Sequence, residues 1–133
     1  MNVEVSALCD AATDSQGKLN LLGTFDSIWA ATLPARHPQC SVTVRLRFSR
    51  IEDGEHKITI HLVDEDGKLI VPPLDANLQV RFAEEEQTAV ANLVLNIQGM
   101  NIEKYGEYSV NLAVDGRQEA SLPLFVRKPK EQA

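Results

Sequence analysis

Apolar and polar side chains alternate with a period of two along most of the chain, the pattern of half-buried extended strands. Val42, Val44, Leu46 and Phe48 alternate with Thr43, Arg45 and Arg47, and Ile58, Ile60 and Leu62 with Lys57, Thr59 and His61. Leu78, Val80 and Phe82 then alternate with Asn77, Gln79 and Arg81, and a longer strand turns Leu93, Leu95 and Ile97 inward. Near the start, Val3, Val5, Ala7 and Cys9 share one face of a first strand, and Lys18 to Phe25 read as its returning partner. Gly23 interrupts that partner and predicts a bulge or a close backbone approach. Lys68 to Val71 read as a short strand that Pro72-Pro73 must end, because proline cannot donate to a ladder. Ser27 to Thr32, around Trp29, fits a strand or a short helical turn, and the conformation of residues 27–41 stays open. No stretch shows a helical period longer than a turn. The expectation is an all-β protein: one antiparallel β-sandwich domain spanning 1–133, with about nine strands.

Two late strands carry the sharpest local signals. Tyr108, Val110, Leu112 and Val114 lie on one face of the first, and Asp115-Gly116 offers the two positive-φ positions of a tight hairpin turn. The returning strand sets Ala120, Leu122, Leu124 and Val126 on one face and Pro123 on the other, which predicts a sheet edge at Pro123. Gly106-x-Tyr108 entering a strand predicts a phenol bonded to backbone a few residues upstream, with Val110 pointing into the core.

Composition narrows the classes of function. The 133 residues are 44% hydrophobic and 24% charged, ordinary values for a globular domain and wrong for a disordered chain. The net charge of −6, with no basic groove, argues against nucleic acid as a partner. No apolar run is long enough for a membrane helix, and the first residues have neither a basic nor an apolar signal region. A cytoplasmic location is therefore expected, in which Cys9 and Cys40 stay reduced and unbridged.

From Val42 onward the strands resemble a bacterial immunoglobulin-like domain, chiefly in Lys57–Val71 and in Gly106-x-Tyr108-x-Val110-x-Leu112-x-Val114. Three departures from the antibody pattern stand out. Lys104 replaces the usual Asp, Val110 occupies the Cys position, and strand 58–63 has no Trp. The N-terminal phrase Leu8-Cys9-Asp10-Ala11-Ala12, with Gly17-Lys18-Leu19-Asn20-Leu21-Leu22-Gly23-Thr24-Phe25-Asp26, makes the chain similar to a small uncharacterised bacterial family of stand-alone immunoglobulin-like sandwiches. That resemblance implies the architecture and no activity, cofactor or site.

Candidate chemistry is sparse. Cys9, Asp10, His37 and Cys40 are the best metal candidates, with His37 and Cys40 in a His-x-x-Cys arrangement, and they lack the paired short spacings of a structural zinc site. Asp64 and Asp66 open like a calcium loop, but Lys68 stands where a third acid belongs and strands flank the turn. No hydrolase elbow, metalloprotease motif or phosphate loop occurs, so the chain is read as a non-enzyme without a cofactor. Trp29 and Phe125 fall off the inward faces and could form an exposed patch for a protein partner. The functional expectation is protein–protein contact by an edge strand or that patch, with a homodimer as one form. A small-molecule or metal site near Cys9, His37 and Cys40 is the alternative.

Overall fold

The computed structural model describes residues 1–130 and contains nine strands: β1 (Asn2–Ser15), β2 (Lys18–Thr24), β3 (Ser27–Trp29), β4 (Ala35–Ser49), β5 (Gly54–Val63), β6 (Leu74–Val80), β7 (Thr88–Ile102), β8 (Gly106–Val114) and β9 (Arg117–Arg127). One 3-10 turn, Arg50–Glu52, is the only helical element among the described residues. Among the described residues no helix is long and apolar enough to cross a membrane. The strands form two sheets, ordered β2-β1-β4-β7 and β3-β9-β8-β5-β6. All neighbours are antiparallel except β3, which runs parallel to β9.

The alternating residues of both sheets meet in a single core. Val42, Val44, Leu46 and Phe48 come from one sheet; Ile58, Ile60, Leu62, Tyr108, Val110, Leu112, Leu124 and Val126 come from the other. The β8–β9 hairpin turns through Asp115 (φ 53) and Gly116 (φ 82), the two left-handed positions its dipeptide favours. Tyr108 is buried, and its hydroxyl donates to the carbonyl of Lys104 at 2.7 Å.

Three local expectations change and one open segment is assigned. First, the register of β1 against β4 slips between Val3 and Val5, so the single-face alternation of Val3 through Cys9 does not survive. Val3 opposes Leu46 and packs on the core, whereas Ala7 and Cys9 oppose Thr43 and Ser41 on the outer face. Leu8, not Cys9, is the core residue of that segment. Second, Lys68–Val71 form no strand: Leu69 makes one isolated bridge to Val63. Third, the open segment around Trp29 begins as strand β3.

Fourth, β9 is an inner strand, flanked by β8 and β3. Pairing with β3 begins only at Phe125, whose N–H donates to Asp26 at 2.7 Å. Two residues earlier the nitrogen of Pro123 points to the same side, where β3 has not yet begun. Proline is tolerated there because that short length of β9 is locally an edge.

The β1–β2 hairpin does not continue the plane of its sheet. The carbonyl of Gly17, in its turn, accepts hydrogen bonds from Asn92 at 3.1 Å and Arg45 at 3.4 Å. β1 leaves β4 at Cys9↔Ser41, and Arg45 with its partner Asn92 lies four positions back along the paired stretch, so the hairpin has folded back across the outer face of the sheet. Cys9, Ser41 and Thr43, which share that face, are fully buried. Gly23, at φ 68, makes the bend possible: a Cβ there would collide with the Asp10 side chain.

Candidate interaction surface

The proposed ligand set is dispersed. Cys40 sits in the core, whereas Cys9 faces outward beneath the folded-back hairpin, with its sulfur 3.7 Å from the Ser41 carbonyl and 3.6 Å from the Thr43 hydroxyl. The two thiols therefore lie on opposite faces of one sheet, and both are free. Burial, with Cys9 and Asp10 nearby, pushes the Cys40 thiol up to about 11, the setting of an inert core cysteine. His37 stands beside Phe25, ring centroids 5.6 Å apart, at the end of the sandwich. Among the described residues no group of three potential ligands converges on a metal position. The buried Nε2 of His37 lacks a hydrogen-bond partner, and the residue lines a cavity of about 270 Å3 together with Trp29, Ala31, Thr32 and Arg36.

The acidic turn is internally neutralised. Asp64 accepts the backbone N–H groups of Asp66 and Lys68, each at 2.9 Å. The Lys104 ammonium lies 3.3 Å from Asp64 and 2.9 Å from Asp66, where a calcium ion would need carboxylates instead. The backbone bond from Lys68, opposed by partial burial and helped by Asp66 and Lys104, holds the Asp64 carboxyl below its ordinary range. A groove of about 470 Å3 opens beside this cluster; Asp64, Asp66 and Lys104 on its wall are paired with one another, and Lys68 and Glu103 also line it.

Trp29 and Phe125 do come together. In the parallel β3–β9 ladder Ser27 opposes Phe125 and Trp29 opposes Arg127, which sets all four on the outer face. The Arg127 guanidinium lies 4.6 Å from the Phe125 ring centroid and 5.8 Å from that of Trp29. Trp29 is 59% exposed. The two rings thus share one face, with the Arg127 guanidinium over both.

The feature that alternation did not reveal is the free edge of β7. Four strands end the two sheets, and three carry some protection. β3 has three residues, β6 includes Asp75, and β2 includes Lys18. β7 runs for 15 residues, TAVANLVLNIQGMNI, with neither a charged residue nor a proline. One of its sides is paired with β4 from Ser49↔Thr88 to Ala35↔Ile102; the other meets no strand among the described residues.

The sandwich also gapes along this edge. Ala89, Ala91, Leu93 and Leu95 of β7 face Leu74, Ala76 and Leu78 of β6 across the two sheets, and all seven remain only partly buried. The absence of charge in residues 88–102 was readable from the start, but whether a strand lies at an edge or the centre is a matter of topology.

The chain belongs to a family of unknown function, DUF6941, whose model matches residues 4–127. No curated protein matches it.

Proposed function

We propose that this chain is a non-catalytic binding module that acts by contact with another protein through the free edge of β7. One observation carries the reading: a long outer strand keeps a row of unpaired backbone groups beside a partly open apolar seam, with none of the usual charges or prolines to repel an incoming strand. Added strands gain main-chain hydrogen bonds from such an edge and specificity from pockets for alternate side chains. The strand order, with the short third strand β3 parallel to the last one, supports an immunoglobulin-like reading of the sandwich.

Affinity capture from native lysate tests the reading, with wild type and Ala91→Lys as paired baits. An inward lysine on an edge strand is a natural device against strand addition. Captured proteins should be lost with the variant, provided its far-UV spectrum is unchanged. Identical captures by both baits would remove β7 from consideration.

A second reading rests on His37. Its unpartnered Nε2 and the adjoining cavity suit a small ligand with one hydrogen-bonding group. Imidazole chemical shifts that stay fixed during a fragment screen would dismiss it.

A further inference from the structure

We propose that the strand β7 receives is β7 of a second copy, paired antiparallel about a two-fold axis so that the β2-β1-β4-β7 sheet continues across the dimer. This rests on the edge reading above and names its occupant. Three features point to self-pairing. A two-fold axis forces the residue on it to face its own copy, and its neighbours to face near-equivalents; because β7 has no charged residue, no register brings like charges together.

The strand beside β7 must also be apolar on both faces. One face would meet the seam lined by Leu93, Leu95 and Leu78, and the other would lie next to Val90 and Val94. β7 itself has this two-sided character, with half-buried apolar residues at successive positions from Ala89 to Ala91 and from Leu93 to Leu95. Opposed residues in an antiparallel pair project to the same side, so the two seams would face each other and close into one. Finally, the ends that meet are opposite in sign: acidic Glu84–Glu86 precede β7 in one copy, and an antiparallel partner brings its exposed Arg36, paired with Asn101 near the far end of its own β7, toward them.

Size sets the strength. From Thr88 to Gln98, ahead of the positive-φ Gly99, the edge runs about 35 Å. With the seam residues of β6 this falls short of the roughly 20–30 residues a side of a standard interface, which places the dimer among weak associations to be sought at about 1–100 µM.

The test is sedimentation equilibrium across that range, with hydrogen exchange at its two ends. Wild type should pass from the 14.7 kDa of one chain toward twice that mass, and amides of residues 88–98 should gain at least about tenfold protection as the dimer fills. Ala91→Lys should keep the monomer mass throughout and lose the concentration dependence of exchange. Should that variant fail to fold, wild-type exchange still decides: a dimer whose residues 88–98 exchange equally at both concentrations overturns the proposal. A wild type that stays monomeric overturns it too. In that case, a lysate partner captured by wild type and lost with Ala91→Lys would leave the edge reading standing without self-pairing, and capture that the variant leaves intact would remove both.

Discussion

Tyr108 donates its phenol hydroxyl to the carbonyl of Lys104 at 2.7 Å, and so ties the start of β8 back onto the loop that precedes it. The same Lys104 extends its ammonium to Asp64 and Asp66, so one residue joins a core phenol to the turn after β5. Removing the hydroxyl leaves that carbonyl without its partner at the margin of the core. Tyr108→Phe should cost about 1–3 kcal/mol in chemical denaturation. Unchanged stability would show that the ring, and not the hydroxyl, anchors the strand.

His56 predicts a pH dependence. Its Nδ1 lies 2.6 Å from Asp115, its Nε2 lies 2.6 Å from the Glu52 carbonyl, and its ring stacks on Phe48. Both partners are acceptors, so the doubly protonated imidazolium suits the site. Burial pulls the pKa of His56 down, but the bonds to Asp115 and Glu52 outweigh it and hold the group above its ordinary value. Asp115 is held below its own, first by His56 and then by the Lys57 N–H. A raised folded-state pKa gives stability that is fully present below the unfolded value of about 6.5 and is lost as pH rises through the folded value. The Asp115 contribution is present above its unfolded value and lost as pH falls through its folded one. Denaturation midpoints should therefore fall as pH is raised from 6 through the His56 titration, and Asp115→Asn should flatten that fall. An equal slope in wild type and variant would count against the pair.

Gly23 predicts a backbone cost. At φ 68, any side chain strains the backbone, and a Cβ would also press on Asp10. Gly23→Ala should lose at least about 1–2 kcal/mol from the left-handed conformation alone. Placing the change in an Asp10→Ala background should recover the contact component and leave the backbone component. If Gly23→Ala is neutral in both backgrounds, the bend does not depend on that conformation.

Cys9 and Cys40 predict a thiol count. They lie on opposite faces of the sheet, so unfolding without reductant should release two titratable thiols per chain. A count of zero would mean a bridge that this arrangement does not permit.

What the alternation could and could not convey follows from its physics. Residues 42–48, 57–62 and 106–114 read correctly because each faces one core on one side. The Tyr108 bond and the Asp115-Gly116 turn were legible because their residue types suit few other conformations. Cys9 was assigned the wrong face because the one-residue slip after Val3 leaves the apolar spacing of Val3, Val5 and Ala7 unchanged. Lys68–Val71 have strand-like composition but only one bridging partner. Trp29 and Phe125 were correctly set off the core, and their adjacency came from the parallel pairing of β3, which spacing does not encode. The edge status of β7 was hidden for the same reason: a period of two reports faces, not neighbours.

The fold-back of the β1–β2 hairpin makes the two cysteines reporters of different events. Its closing contact joins Gly17 to Asn92, 75 positions apart, so this layer settles only onto a sheet that already exists. The contacts that hold its tip are hydrogen bonds at an exposed surface, so the hairpin can lift while both sheets stay intact. Lifting uncovers Cys9; Cys40 emerges only when the sandwich itself comes apart. A native-state labelling time course would then separate into two phases, the faster one timing a local opening and the slower one timing global unfolding, both read from the same molecule without an introduced probe.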